Sequence, residues 1–204
     1  MNKNMFRFFD VVISVASLVV FFSPMVVFSI FIYFEDRGPI FFFQNRVGQY
    51  GKVFPICKFR TMTHEPGRPT GSVKVSSKSE LLEARRRFKT TNIEDSRVTK
   101  VGRILRKAHL DELPQLWNVL LGDMSIVGVR PDTPSQELDY QQEYWLLRHR
   151  FKPGITGFAQ IESDIVDLDH RSRLELKWIN NRTVTAYFFV VRKTFLKILQ
   201  RSSF

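Results

Sequence analysis

Two acidic side chains stand side by side at Asp111 and Glu112, inside the run Leu110-Asp111-Glu112-Leu113-Pro114-Gln115. An ionised carboxylate can act as a covalent nucleophile. Its neighbour can hold a divalent cation, which prefers oxygen ligands and neutralises diphosphate charge during phosphoryl transfer. The plainer role is structural, because an Asp at a helix start accepts a backbone N–H as an N-cap and a Glu beside it complements the helix dipole. Local pattern leaves both roles open, since free N–H groups at a helix start also attract phosphate oxygens.

Cationic segments recur on either side of the pair: Lys58-Phe59-Arg60-Thr61-Met62, Asp95-Ser96-Arg97-Val98-Thr99, Gly102-Arg103, Arg106, and the stretch Gly122 to Pro131 that contains Arg130. The proline after Arg130 biases it toward an extended conformation, presenting a planar fork suited to phosphate. The run Arg85-Arg86-Arg87 reads instead as a solvated helix face. Over 204 residues, 31 Lys and Arg against 20 Asp and Glu give a formal charge of +11, which favours an anionic partner: nucleic acid, phospholipid or a phosphorylated substrate. No nucleic-acid module is visible and the aromatics fall mainly in apolar segments, so nucleic acid is not expected as a partner. The single cysteine, Cys57, cannot form an internal disulfide, and His64, His109, His149 and His170 show no i, i+4 pair, so no His-based metal site is expected.

The elements that must position these groups follow from periodicity. Leu113, Leu116, Trp117 and Leu120 recur at helical spacing, predicting a helix that Gly122 ends, with Asp111 at its N-terminus and Pro114 in its first turn. Pro39 to Arg60 reads as short strands and turns, in the pattern of a hairpin. The polar stretch 61–95 reads as a mobile loop containing a charged helix over Ser79 to Lys89. Further helices are expected over Pro134 to Arg150 and Ile165 to Ile179. Residues 184–199 mix aromatics with cations and suit either the membrane interface or the domain core.

Val11 to Phe34 carries no charge, and this run of about 24 residues exceeds the roughly 20 needed to cross a hydrocarbon core. A cleaved signal peptide fits poorly, because the stretch is long and no small-x-small site follows it. Ser23-Pro24 near its middle favours a kink, leaving halves of roughly 15 to 20 Å that dip into one leaflet and return. Basic residues on both flanks agree with a hairpin that keeps both ends cytosolic, while proline is also tolerated in spanning helices.

The chain resembles the bacterial sugar transferases, the monotopic phosphoglycosyl transferases. The likeness runs from Phe9-Asp10 through Ser23-Pro24, Gly38-Pro39, Gln44-Asn45-Arg46, Lys58-Phe59-Arg60, Leu110 to Gln115, Asn118-Val119-Leu120 and Pro153-Gly154-Ile155-Thr156-Gly157. The resemblance implies an α+β fold, mainly helical, with short β-hairpin elements: a re-entrant membrane helix over 1–36, broken at Ser23 and Pro24, then a cytosolic catalytic domain over 37–204. It implies Asp111 as nucleophile, Glu112 as magnesium ligand, and Lys58, Arg60, Arg97, Arg103, Arg106 and Arg130 as phosphate contacts. The implied reaction moves a sugar-1-phosphate from a UDP-sugar to polyprenyl (undecaprenyl) phosphate at the bacterial inner membrane, initiating glycan assembly. Mg2+ is the implied cofactor, and a homodimer is one allowed assembly. The rival reading is a membrane-anchored scaffold for anionic lipid or glycan, with Asp111 and Glu112 as caps only. Two departures stand out: Val129 replaces the usual proline before Arg-Pro, and Ile161-Glu162-Ser163-Asp164 replaces an Asn-Gly-Arg-like continuation.

Overall fold

The structure, a computed structural model, describes residues 3–64, 78–87, 95–162 and 167–201. Most of the stretch expected to be a mobile loop lies outside them, as do Ser163 and Asp164. Within that stretch one helix is described, α2 (Lys78–Arg87), and Arg85 Nε donates to Asp139 at 2.7 Å.

The first element, α1, is one helix of 34 residues over Lys3–Asp36 with Pro24 inside it. It is long and apolar enough to cross a membrane. Phe6, Asp10 and Ser14 are buried near its start and Ile32 near its end, with Leu18, Met25 and Phe28 partly buried between, a stripe at helical spacing. Val19, Val20, Phe22, Val26, Val27, Ile30 and Phe31 are exposed. So contiguous an apolar surface is stable in lipid rather than water, and marks a membrane-associated chain.

The expected hairpin forms as β1 (Phe41–Val47) paired antiparallel with β2 (Val53–Phe59). A second, parallel pair joins β3 (Ser125–Val127) to β4 (Gly154–Thr156) and was not anticipated from the sequence. Three residues per strand are too few to show a period of two. The remaining helices are α3 (Lys100–Lys107), α4 (Gln115–Leu121), α5 (Gln142–Arg148), α6 (Phe158–Ile161), α7 (Leu168–Asn180) and α8 (Val184–Arg201). The helix expected over Pro134 to Arg150 is two pieces, a 3-10 segment Pro134–Asp139 followed by α5.

The main core gathers Phe6 of α1, Phe54 and Ile56 of β2, Leu116 and Val119 of α4, Ile126 and Val127 of β3, Trp178 of α7, and Tyr187 and Val190 of α8. Each such side chain contributes about 1.5–3 kcal/mol by leaving water. One face of the first half of α8 is therefore core, whereas Phe188 and Phe189 on its other face and Phe195, Leu196, Ile198 and Leu199 farther along are exposed. Polar anchors fix α1 at both ends. Asp10 Oδ1 accepts from Ser125 Oγ, Ile126 N and Tyr187 OH at 2.8–2.9 Å. Arg7 donates to the Val119 and Leu120 carbonyls at the C-terminus of α4, where a cation complements the helix dipole. At the other end Asp36 takes both arms of Arg60, and Glu35 accepts from the Lys100 and Val101 amides at the start of α3.

Candidate active site

Helix α3 begins with Thr99, whose Oγ1 accepts from Gly102 N at 2.9 Å, and its end leads into His109. His109 adopts a left-handed conformation, φ 56°, which costs a non-glycine residue on the order of 1 kcal/mol. That turn reverses the chain into a single 3-10 segment, Leu110–Glu112, holding both acidic residues. Pro114 then caps α4, and Gly122, at φ 91°, ends it in the conformation that glycine adopts without strain.

This corrects the expected arrangement around the pair. The helix starts at Gln115 rather than Leu113, and Asp111 precedes it by a separate turn. Neither the 3-10 segment nor α4 has a side-chain cap hydrogen bond, so the cap reading of Asp111 and Glu112 has no support in the geometry.

Glu112 faces β2, where Lys58 Nζ donates to its Oε1 at 2.6 Å. Asn118 of α4 fixes that strand. Its Oδ1 accepts from Cys57 N and its Nδ2 donates to the Pro55 carbonyl, both at 2.9 Å, so one amide binds the open edge of β2 just before Lys58. Burial alone would push the Glu112 carboxyl up, but Lys58, with help from Arg130 and His109, outweighs it and holds the group below its ordinary value. Asp111 is the opposite case. Burial and the adjacent Glu112 charge raise it to about 6, against the smaller pull of Lys58 and Arg106.

Glu112 and Lys58 line a narrow cleft with Arg46, Gln115, Arg130 and Gln160. Its remaining walls are Ile56, Pro131, Gly154 and Ile155. Arg46 was not singled out as a site residue, although it lies in the Gln44-Asn45-Arg46 segment. Its NH1 donates to the Pro131 carbonyl at 3.1 Å and its NH2 to Gln44 at 2.6 Å. Burial and the like charge of Arg130 lower its pKa to about 10. Two guanidiniums held this close favour an anion between them.

Arg130 is exposed, and its backbone is fixed without the second proline. Gly154 N donates to Val129 O at 2.8 Å, Arg130 N to Glu175 at 3.2 Å, and Arg148 NH2 to Arg130 O at 2.9 Å. Arg148 is itself fully buried between Asp132 and Glu175, with Arg171 bound to the same two carboxylates.

The other candidates divide. Arg106 donates through Nε to Thr61 at 2.8 Å and its charge reaches Asp111. Arg60 is buried on Asp36 and serves the end of α1 rather than lining the cleft. Arg97 pairs with Asp95 at 2.7 Å, and Arg103 is exposed on α3; neither lines the cleft. Ser23 and Pro24 are exposed in the middle of α1. No cluster of three or more metal-ligating side chains occurs among the described residues. Two adjacent carboxylates suit Mg2+ all the same, because that ion keeps waters and takes substrate phosphate oxygens alongside one or two protein ligands.

A sequence profile of the bacterial sugar transferases matches residues 1–201. The chain belongs to the bacterial sugar transferase family. The chain is 36% identical over 198 residues to the undecaprenyl-phosphate galactose phosphotransferase of Salmonella typhimurium, covering 96% of this chain and 40% of that protein. It is 33% identical over 207 residues to the UDP-glucose:undecaprenyl-phosphate glucose-1-phosphate transferase of Escherichia coli, covering 98% and 40%. It is 37% identical over 204 residues to the exopolysaccharide production protein ExoY of Sinorhizobium fredii, covering 97% and 87%. The chain thus spans about 40% of the first two relatives and most of the third.

Proposed function

We propose that this chain transfers a sugar-1-phosphate from a UDP-sugar to undecaprenyl phosphate, the acceptor in the names of the Salmonella and E. coli relatives. The observation that carries the reading is the asymmetry of the acidic pair. Glu112 is neutralised by Lys58 inside a cationic cleft, while Asp111 beside it has no ion-pair partner among the described residues and a raised pKa. Asp111 attacks the sugar-bearing phosphorus, the bond from that phosphorus to the UMP oxygen breaks, and UMP leaves. An oxygen of undecaprenyl phosphate then attacks the same phosphorus, breaking its bond to Asp111 and restoring the carboxylate. Arg46, Arg130 and Lys58 offset the negative charge of the phosphates throughout. Glu112, with Asp111 beside it, would hold Mg2+, which supplies further neutralisation of diphosphate charge.

Re-entry of α1 is part of the proposal. Straight, its 34 residues would extend roughly 50 Å, well beyond a hydrocarbon core of about 30 Å. Yet Asp10 binds β3 and α8, while Asp36 and Glu35 bind β2 and α3, all in one folded unit. Support for a shallow dip comes from those two anchorages with exposed apolar residues between them, and the basic residues flanking the apolar run of α1, Lys3 and Arg7 before it and Arg37 after it, favour a cytoplasmic domain.

The test is UMP release from UDP-sugars by the full chain in lipid nanodiscs with undecaprenyl phosphate and Mg2+. Asp111→Asn is expected to abolish release without loss of membrane association. Retained turnover would overturn the nucleophile assignment.

A further inference from the structure

The cleft lined by Lys58, Glu112 and Arg130 also contains an amide that the mechanism above leaves unused. Gln160 lies in α6, and its main chain is fully engaged. Its N–H donates to Gly157 O at 3.0 Å, and its carbonyl accepts from Lys197 Nζ of α8 at 3.1 Å. Lys197 also donates to the Glu162 carbonyl at 3.2 Å, so α8 pins the C-terminal end of this short helix. The side chain differs: Nε2 and Oε1 are both shielded from solvent, and neither has a hydrogen-bond partner among the described residues. Buried polar atoms without partners are rare in native proteins, and an amide with both ends unsatisfied is rarer. Exchanging the two amide atoms leaves the donor and the acceptor equally unmet.

The floor beneath this amide is built to stay close. A Cβ on Gly154 would lie 2.1 Å from Gly128 N, and one on Gly157 would lie 2.1 Å from Gly128 O. Backbone packed this tightly fixes the position of α6, and with it Gln160, in the cleft that Lys58 and Glu112 also line. The phosphate-binding side of the cleft is charged, whereas Gln160 is neutral and offers one donor and one acceptor. We propose that Gln160 is a sugar-contacting residue that reads a hydroxyl or acetamido group of the donor and so helps set which sugar is transferred. This rests on the proposed transferase activity. Gln160 and the exposed Arg130 line the same cleft, so a sugar on the amide keeps its phosphate within reach of that cationic site.

The experiment compares wild type with Gln160→Met and the near-isosteric Gln160→Glu in nanodiscs. It measures KM and kcat for UMP release over UDP-glucose, UDP-galactose and their N-acetylated counterparts, together with inhibition by UMP. Losing one neutral hydrogen bond is expected to lower kcat/KM for the preferred donor about tenfold, mainly through KM. The ranking among donors should compress, and inhibition by UMP should not change. Gln160→Glu, which keeps size and an acceptor, should reorder the donors and covers the case in which Gln160→Met fails to fold. An unchanged ranking and KM in both variants would overturn the assignment. So would an equal loss for every donor with weakened UMP inhibition, which would place the amide on the nucleotide instead. Absence of UMP release by wild type from any UDP-sugar would sink the transferase reading and this one together. Wild-type activity with indifferent variants would sink this one alone.

Discussion

Lys58 Nζ lies 2.6 Å from Glu112 Oε1, and this contact separates two neighbouring carboxylates into different chemical states. Glu112 is held ionised by its partner. Asp111, half-buried beside that negative charge, is harder to ionise and correspondingly more basic. A carboxyl of raised pKa next to a glutamate held as an anion is a division of states that neither residue type specifies alone.

The first prediction concerns pH. In the proposed reaction Asp111 attacks as the carboxylate, and burial with the Glu112 charge raises its pKa to about 6. UMP release at saturating Mg2+ is therefore expected to climb through pH 6 and level off near neutrality, falling about tenfold for each unit below the midpoint. The sign follows from the acid form being inert. A profile flat from pH 5 to 8 would exclude a perturbed carboxylate as the attacking group.

Lys58 lowers both carboxyls, so removing it should move the acid limb of that profile upward. Lys58→Met is expected to cost about tenfold or more in kcat/KM at pH 7, the scale of a charge-assisted hydrogen bond, with partial recovery at higher pH. Lys58→Arg should keep the limb near its original position. Equal losses at every pH in Lys58→Met would point to substrate contact alone, without tuning of the dyad.

How much of this was legible in the sequence depends on whether the signal was local. The hairpin around Gly48 and Gly51, the end of α4 at Gly122 and the helix over Leu168–Asn180 come from short-range turn chemistry and periodicity, and the residues carry it openly. The left-handed His109 is invisible, because tertiary packing imposes that backbone on an unsuitable residue. Among the cations, spacing grouped Lys58 and Arg60 as equals two residues apart. On a strand such neighbours share a face, yet β2 ends at Phe59, and Arg60 turns to Asp36. Arg148 and Glu175 were passed over because each looks like an ordinary helix charge. Only the meeting of α5 with α7 makes them the buried support behind Arg130.

The two anchorages of α1 predict where its flanks lie. With Cys57 replaced by Ser, single cysteines at Asn4 and at exposed Lys52 are expected to react with a membrane-impermeant thiol reagent only after spheroplasts are opened, both to the same extent. Labelling of Asn4 from outside with Lys52 protected would mean that α1 crosses the bilayer, and the contacts of Arg7 and Asp10 with the domain would then have to break.

The anchorage at Asp36 should also dominate stability at that end of the helix. Arg60 is 6% exposed and directs both guanidinium arms at Asp36, whose carboxyl they help hold to the end of β2. Asp36→Ala leaves that guanidinium buried without its counter-charge, at a cost of about 3 kcal/mol on the scale of broken buried pairs. Replacing Arg60 as well, as Asp36→Ala with Arg60→Met, removes the stranded charge and fills its space with apolar atoms, so the double variant is expected to melt above the single Asp36→Ala variant in nanodiscs. The same comparison separates anchoring from phosphate binding. If Arg60 contacts the donor, the double variant recovers stability and not activity; if it only fastens α1, both return together. A double variant that melts below Asp36→Ala would show that Arg60 stabilises this end of the helix through some partner other than Asp36.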